Sequence, residues 1–156
     1  MIVQGMAIGL IATLAINIWA LLLFRVAGIP MPNRAMMGRW AAHGARGRLF
    51  HDSIAAAPPV PGETRIGWLF HICVGATFGV MLALLAGRDW LAEPTLLPAL
   101  AFGIVTVGFG WFLMLPGMGL GIAGAQAPNP AKVRINGLLG HVVFGVALWI
   151  GALALA

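Results

Sequence analysis

Two histidines of this chain lie in the same local pattern. The spacing Gly-x-x-x-His-x-x-x-Gly occurs over residues 67–75 and again over residues 137–145, with His71 and His141 at its centre. Neutral imidazole is a common ligand for zinc, copper, iron and nickel, and histidine is also an axial ligand of haem. We therefore take His71 and His141 as candidate cofactor-binding residues, for a transition metal or for haem b.

Further metal ligands are available between the first apolar stretch and His71. The other two histidines of the chain lie there with the carboxylates Asp52 and Glu63, and imidazole nitrogen together with carboxylate oxygen suits first-row metals. The candidate metal ligands are His43, His51, Glu63, His71 and His141. In the alternative interpretation, small residues at four-residue spacing let helices pack closely, and the histidines only form hydrogen bonds across the interface.

The elements that carry these residues are apolar. The 156 residues are 61% hydrophobic and 8% charged, whereas about 25% charged residues is usual in soluble domains. Residues 5–29, 66–87, 96–115 and 135–156 are each long enough to cross a bilayer as a helix. These runs are continuous and do not alternate as barrel strands do. We predict an all-α fold, an integral membrane four-helix bundle that forms a single membrane domain over residues 1–156.

A further helix is predicted over residues 33–57, between the first and second spans. One face of this helix would carry Met36, Trp40, His43, Gly47, Phe50 and Ile54. Arginines beside a face that bears Trp and Phe suit the headgroup boundary of a membrane. We therefore predict a cytoplasmic interfacial amphipathic helix, which would bring all four histidines towards the cytoplasmic mouth of the bundle.

The basic residues predict an orientation. The first connection and its flanks, and the end of the third connection, carry Arg25, Arg34, Arg39, Arg46, Arg48, Arg65, Lys132 and Arg134. The second connection has only Arg88, beside two acidic residues. By the positive-inside rule, we expect a multi-pass protein of the bacterial inner (cytoplasmic) membrane with both termini in the periplasm. The net charge of +5 reflects this topology, and we expect no nucleic acid partner.

No catalytic motif is visible in the sequence. Gly119-x-Gly121-x-x-Gly124 has the spacing of a dinucleotide-binding fingerprint. However, no strand precedes it and no βαβ unit surrounds it, so the motif lacks the context that phosphate binding needs. The sequence contains no Ser-His-Asp order and no paired catalytic carboxylates, and we assign no catalytic residue.

Several short stretches carry a family resemblance. They are residues 11–19, 38–43, 47–51, 62–63, 67–71, 90–98, 116–121 and 141–145. Through them the chain resembles a family of small bacterial inner-membrane proteins catalogued as a domain of unknown function, with four predicted spans. The resemblance covers almost the whole chain and points to the His, Gly and Glu63 positions. The family pattern has an aspartate where this chain has Asn17, so a charge-dependent activity of relatives would not carry over to this chain.

Three functions are compatible with the sequence, and all three place the chain in a lipid bilayer. The first is a membrane protein that binds a metal or haem through its histidines. The second is a small carrier or channel component, in which one ridge of Gly67, Gly75 and Gly79 and another of Gly137 and Gly145 pack a homo-oligomer or a pseudo-symmetric pore. The third is an accessory subunit of a larger membrane complex.

Overall fold

The fold is built from five helices. A computed structural model describes residues 1–156 and contains no strand. The helices are α1 (Ile2–Ala27), α2 (Arg34–Gly44), α3 (Glu63–Ala92), α4 (Leu96–Gly117) and α5 (Pro130–Leu153). All except α2 are long and apolar enough to cross a membrane. The predicted all-α fold class with four long apolar helices is confirmed.

Local sequence signals set where the helices begin and end. The α1 helix is terminated by Gly28, the residue after Ala27, which has a left-handed φ of 62°. The Ile29 N–H donates to the Leu23 carbonyl, which completes the Schellman arrangement that glycine favours. The side chains of Asn33 and Asn129 accept backbone N–H bonds at the starts of α2 and α5. Each asparagine thereby satisfies a donor that would otherwise lack a partner at a helix N-terminus.

Two of the long helices are irregular. The α3 helix is interrupted at Gly87, which has a φ of 84°. The α4 helix contains a π-helical turn over Gly110–Met114, in which the Leu115 N–H donates to the Gly110 carbonyl five residues back. Pro116 follows at once and has no N–H to continue a regular helix. The wider turn therefore lies directly before the last residues of α4, which end at Gly117.

The helix between the first two spans is shorter than its sequence predicts. The prediction of a helix over 33–57 was wrong beyond Gly44, where α2 ends. A turn follows, in which Gly47 has a φ of 87°, and residues 48–57 are not α-helical. Glycine weakens a helix by about 1 kcal/mol relative to Ala, and the segment after Gly47 instead makes tertiary hydrogen bonds. The predicted face therefore ends after His43.

The chain divides into two compact units. The first unit comprises residues 1–31, 72–106 and 138–156. Its buried core contains Ile8, Ala12, Leu82, Ala83, Trp90, Leu91, Ala99, Phe144, Ala147, Leu148 and Ala152. Large apolar side chains are also exposed on its helices, including Leu85 and Leu97 at 74% and 75%. Such a surface suits lipid, because water disfavours extended apolar patches.

Glycines bring α1 and α3 into backbone contact within the first unit. A Cβ on Gly9 would overlap the Gly75 carbonyl, and a Cβ on Gly79 would overlap the Gly5 carbonyl. Small residues at four-residue spacing are the usual means of such close packing in membranes. The crossing of α1 and α3 therefore depends on the absence of side chains at Gly5, Gly9, Gly75 and Gly79.

The other glycines of the two predicted ridges also have neighbours within the chain. A Cβ on Gly145 would crowd the α4 backbone at Ala99 and Leu100, and a Cβ on Gly67 would overlap the Arg34 carbonyl. Gly137 faces the indole of Trp111. The glycines therefore pack the helices of one chain. A homo-oligomer stays a prediction, and it would need a surface other than these ridges.

The second unit comprises residues 32–71 and 107–137. Its buried apolar residues are Met37, Trp40, Ile54, Ala57 and Met118. The Trp40 indole packs edge-on against Phe70, with 5.8 Å between the ring centroids. The Trp40 Nε1–H donates to the Leu49 carbonyl at 2.7 Å, so the core residue also fixes the loop after α2.

Candidate functional site

Two of the five predicted metal ligands are in direct contact. The Nδ1 of His43 lies 2.9 Å from the Nε2 of His51, and the two ring centroids are 5.0 Å apart. The structure contains no group of three or more His, Cys, Asp or Glu side chains that could hold a metal ion. The histidines therefore form a pair, which we call the histidine pair, within the second unit.

A backbone carbonyl orients the histidine pair. The Nδ1 of His51 lies 3.1 Å from the Gly117 carbonyl oxygen. Since a carbonyl only accepts, Nδ1 of His51 carries a proton and donates it. Neutral His51 then has its lone pair on Nε2, directed at His43. A ring N–H bonded to a backbone carbonyl is the usual support of a metal-binding histidine.

The loop after α2 holds His51 in place by pairing with the C-terminal end of α4 and the residue that follows it. The His51 N–H donates to the Gly117 carbonyl, and the Ile54 N–H donates to the Met118 carbonyl, both at 3.0 Å. Gly119 follows with a φ of 83°, and a Cβ there would overlap the Asp52 carbonyl. The close approach of the two loops therefore requires glycine at this position, and His51 is only 6% exposed.

Glu63, a predicted metal ligand, is bound by an arginine. Its two carboxylate oxygens accept from the Nε and Nη2 of Arg39 at 2.8 and 2.9 Å, and one of them also accepts from the Val60 N–H. The hydrogen bond to Glu63 raises the pKa of the Arg39 guanidinium. Because these bonds occupy the carboxylate, Glu63 stabilises the start of α3.

Arg39 also binds the loop that carries His51. Its Nη1 donates to the carbonyls of Ile54, Ala55 and Ala57 at 3.0 to 3.2 Å. The planar guanidinium has five N–H donors, which lets one side chain bind a carboxylate and several carbonyls together. In the sequence Arg39 is one of several arginines of the first connection, and no sequence signal distinguishes it from its neighbours.

His71, a predicted cofactor ligand, lies against an aromatic ring. The His71 and Trp68 ring centroids are 6.2 Å apart, and the Arg34 guanidinium lies 4.8 Å from the Trp68 ring centroid. The Nε2 of His71 is buried and has no hydrogen-bond partner. A buried ring nitrogen without a partner is costly, because it has lost its hydrogen bonds to water.

His141, the second predicted cofactor ligand, belongs to the first unit and makes hydrogen bonds there. Its Nδ1 lies 3.1 Å from both the Thr106 hydroxyl and the Gly103 carbonyl. The Thr106 hydroxyl itself donates to the Gly103 carbonyl at 2.6 Å. This contact between α5 and α4 fits the packing alternative. Haem ligation by His71 and His141 stays a prediction.

A cavity of about 660 Å³ borders His51 in the second unit. Its polar side chains come from His51, Asp52 and Gln126, and Pro116 and Ile122 line it as well. The glycine-rich segment with the spacing of a dinucleotide fingerprint supplies part of the wall. Within this segment Ala123 has a φ of 50°, the only left-handed non-glycine residue in the chain. No pattern in the sequence predicts this cavity.

Comparison with known proteins yields one match. A family model described as protein of unknown function (DUF2938) matches residues 6–155. No curated protein and no solved structure matches the chain.

Proposed function

We propose that this chain, which belongs to the DUF2938 family of unknown function, is an inner-membrane protein that binds a transition metal. The proposed ligands are His43 and His51. The observation that carries the proposal is the 2.9 Å distance between Nδ1 of His43 and Nε2 of His51. The Gly117 carbonyl supports it by holding His51 in the tautomer that leaves Nε2 free to bind a metal.

Metal binding replaces the hydrogen bond within the histidine pair. In the metal-free protein with both rings neutral, the Nδ1–H of His43 donates to the Nε2 of His51. With His43 protonated on Nε2 instead, its Nδ1 would be free to act as the second ligand beside Nε2 of His51. His43 is half-buried, so its ring has room to turn towards the ion. His51 keeps its bond to Gly117 throughout.

The donor set favours particular metals. Affinity of imidazole nitrogen sites follows the Irving–Williams order, in which Cu²⁺ binds more tightly than Ni²⁺ or Zn²⁺. Two protein ligands leave coordination positions for water, which favours exchangeable over structural metal. Exchangeable metal binding is compatible with the carrier hypothesis. Both the carrier and the accessory-subunit hypotheses stay predictions.

The orientation follows from the basic residues. The connections that contain Arg46, Arg48 and Lys132 face the cytoplasm by the positive-inside rule, and both termini face the periplasm. The histidine pair lies in the first of these connections and would therefore take its metal from the cytoplasm.

An intramembrane ligand is the second candidate. The observation that favours it is the buried Nε2 of His71, which has no partner. Ionisable residues within membrane helices usually mark a functional site. A metal or haem b bound through His71 would supply the missing partner.

Metal titration of the full chain tests the proposal. The protein is purified in mild detergent without a polyhistidine tag and titrated with Cu²⁺, Ni²⁺ and Zn²⁺ by calorimetry. We expect one site, with Cu²⁺ tightest, and loss of that site in His43→Ala. His43→Ala removes a half-buried ring and spares the bonds of His51 to Gly117, so the variant keeps its fold.

His141→Ala is the matched control, because it removes a histidine of the first unit and leaves the histidine pair intact. Unchanged metal binding in His43→Ala would refute the histidine pair as the site. If His71→Ala alone lost the metal, or if the purified protein had a Soret band that His71→Ala removed, the second candidate would replace the first.

A further inference from the structure

The cavity beside His51 has an unpaired carboxylate on its wall. Asp52 lines the cavity and is exposed, and its side chain makes no hydrogen bond or salt bridge within the chain. The salt bridge between Arg39 and Glu63 does not involve Asp52. No Arg or Lys lines the cavity. The local charge on the wall is therefore negative, although the chain as a whole carries +5.

The rest of the wall limits what the cavity can hold. The Gln126 side chain also lines the cavity and is exposed. Its amide oxygen can accept a hydrogen bond from a ligand that also pairs with Asp52. Pro116 and Ile122 present apolar surface, and Gly119 brings backbone close without a side chain. A volume of about 660 Å³ lies in the range of small-molecule sites.

We infer that this cavity binds a small organic ammonium ion. The ammonium group pairs with the Asp52 carboxylate, a charge-assisted hydrogen bond that is stronger than a neutral one. A second N–H donates to the Gln126 amide, and a short aliphatic body packs against Pro116 and Ile122. An organic anion would meet Asp52 and find no cationic side chain on the wall. The inference goes beyond the proposed metal site, because its ligands are Asp52 and Gln126.

Three probes with the same four-carbon chain test the charge preference. Putrescine is cationic, 1,4-butanediol is neutral and succinate is anionic. Binding is measured by saturation-transfer NMR and calorimetry on the full chain in detergent after treatment with EDTA, so that metal cannot contribute. We expect putrescine to bind and the other two not to bind.

Two variants locate the binding. Asp52→Asn keeps the shape of the wall. It should weaken putrescine binding by about tenfold or more, because the hydrogen bond between the ammonium group and a charged carboxylate is lost. Asp89→Asn is the matched control, since Asp89 is an exposed carboxylate that lies in the first unit and outside the cavity. It should bind putrescine as the wild type does.

Four results would overturn the inference. They are failure of putrescine to bind, equal binding of putrescine and butanediol, preferential binding of succinate, and unchanged putrescine affinity in Asp52→Asn. His43→Ala separates the two proposals, because it should lose metal binding and keep putrescine binding.

Discussion

The histidine pair depends on a small set of directed bonds. His51 is buried, and its Nδ1–H donates to the Gly117 carbonyl. A backbone group at the end of α4 therefore sets the tautomer of His51. His43 has more freedom, since its ring contacts His51 at the end of α2. One ligand is therefore preorganised and the other adjusts, an arrangement that suits a site that loads and releases an ion.

Arg39 should control the order of the loop that carries His51. Arg39→Gln removes the bonds to Glu63 and to the loop carbonyls, and glutamine cannot replace the forked donors. We expect trypsin to cleave after Arg46 and Arg48 several-fold faster in this variant, as followed by mass spectrometry. Arg88→Gln, which alters an exposed arginine outside the second unit, should cleave like the wild type. An unchanged cleavage rate in Arg39→Gln would show that the loop is held by other contacts.

Among the helices, the four long ones could be predicted from sequence and the contact between the histidines could not. Continuous apolar runs define α1 and α3 to within a few residues, because lipid requires helices of that length. In a helix over 33–57, His43 and His51 would lie about 12 Å apart along the axis, at 1.5 Å per residue. They meet because α2 ends at Gly44 and the chain turns back.

The bonds that replace helix after Gly44 are tertiary. The N–H groups of His51 and Ile54 pair with carbonyls of Gly117 and Met118, more than 60 residues away in sequence. Local propensity contains no information on such partners. The positions of Asp52 and Gln126 on one cavity wall depend on the same loop pairing and were beyond prediction for the same reason.

The crossing of α1 and α3 should be sensitive to a single methyl group. In Gly79→Ala the added Cβ would overlap the Gly5 carbonyl, so the helices must move apart. We expect a loss of about 1–3 kcal/mol in the free energy of unfolding, the usual cost of overpacking. The measurement is unfolding in mixed detergent and SDS. Gly110→Ala is the control, because a Cβ there meets nothing within 4 Å. Equal losses in the two variants would contradict close packing as the cause.

For the molecule as a whole, four helices are long enough to span a membrane, and the histidine pair lies in the connection between the first two. In the orientation that we propose from the basic residues, this connection faces the cytoplasm. Metal and organic cation would then reach the second unit from within the cell.

Cysteine labelling in cells tests this orientation. Cys73 is first replaced by serine, and single cysteines are then introduced as Ser53→Cys and Glu93→Cys, both at exposed positions. We expect an impermeant maleimide to label position 93 in spheroplasts, because the proposed orientation places the second connection in the periplasm. Position 53 should react only after the membrane is permeabilised. The reverse pattern would place the histidine pair outside the cell.

Electron paramagnetic resonance of the Cu²⁺-loaded protein tests the central claim most directly, because it counts the nitrogen ligands of the ion. The account predicts couplings from two imidazole nitrogens in the wild type, and loss of that two-nitrogen signal in His43→Ala, which lacks one of the two ligands and no longer holds the ion. A wild-type spectrum without imidazole nitrogen, or one that His43→Ala leaves unchanged, would contradict metal binding between His43 and His51.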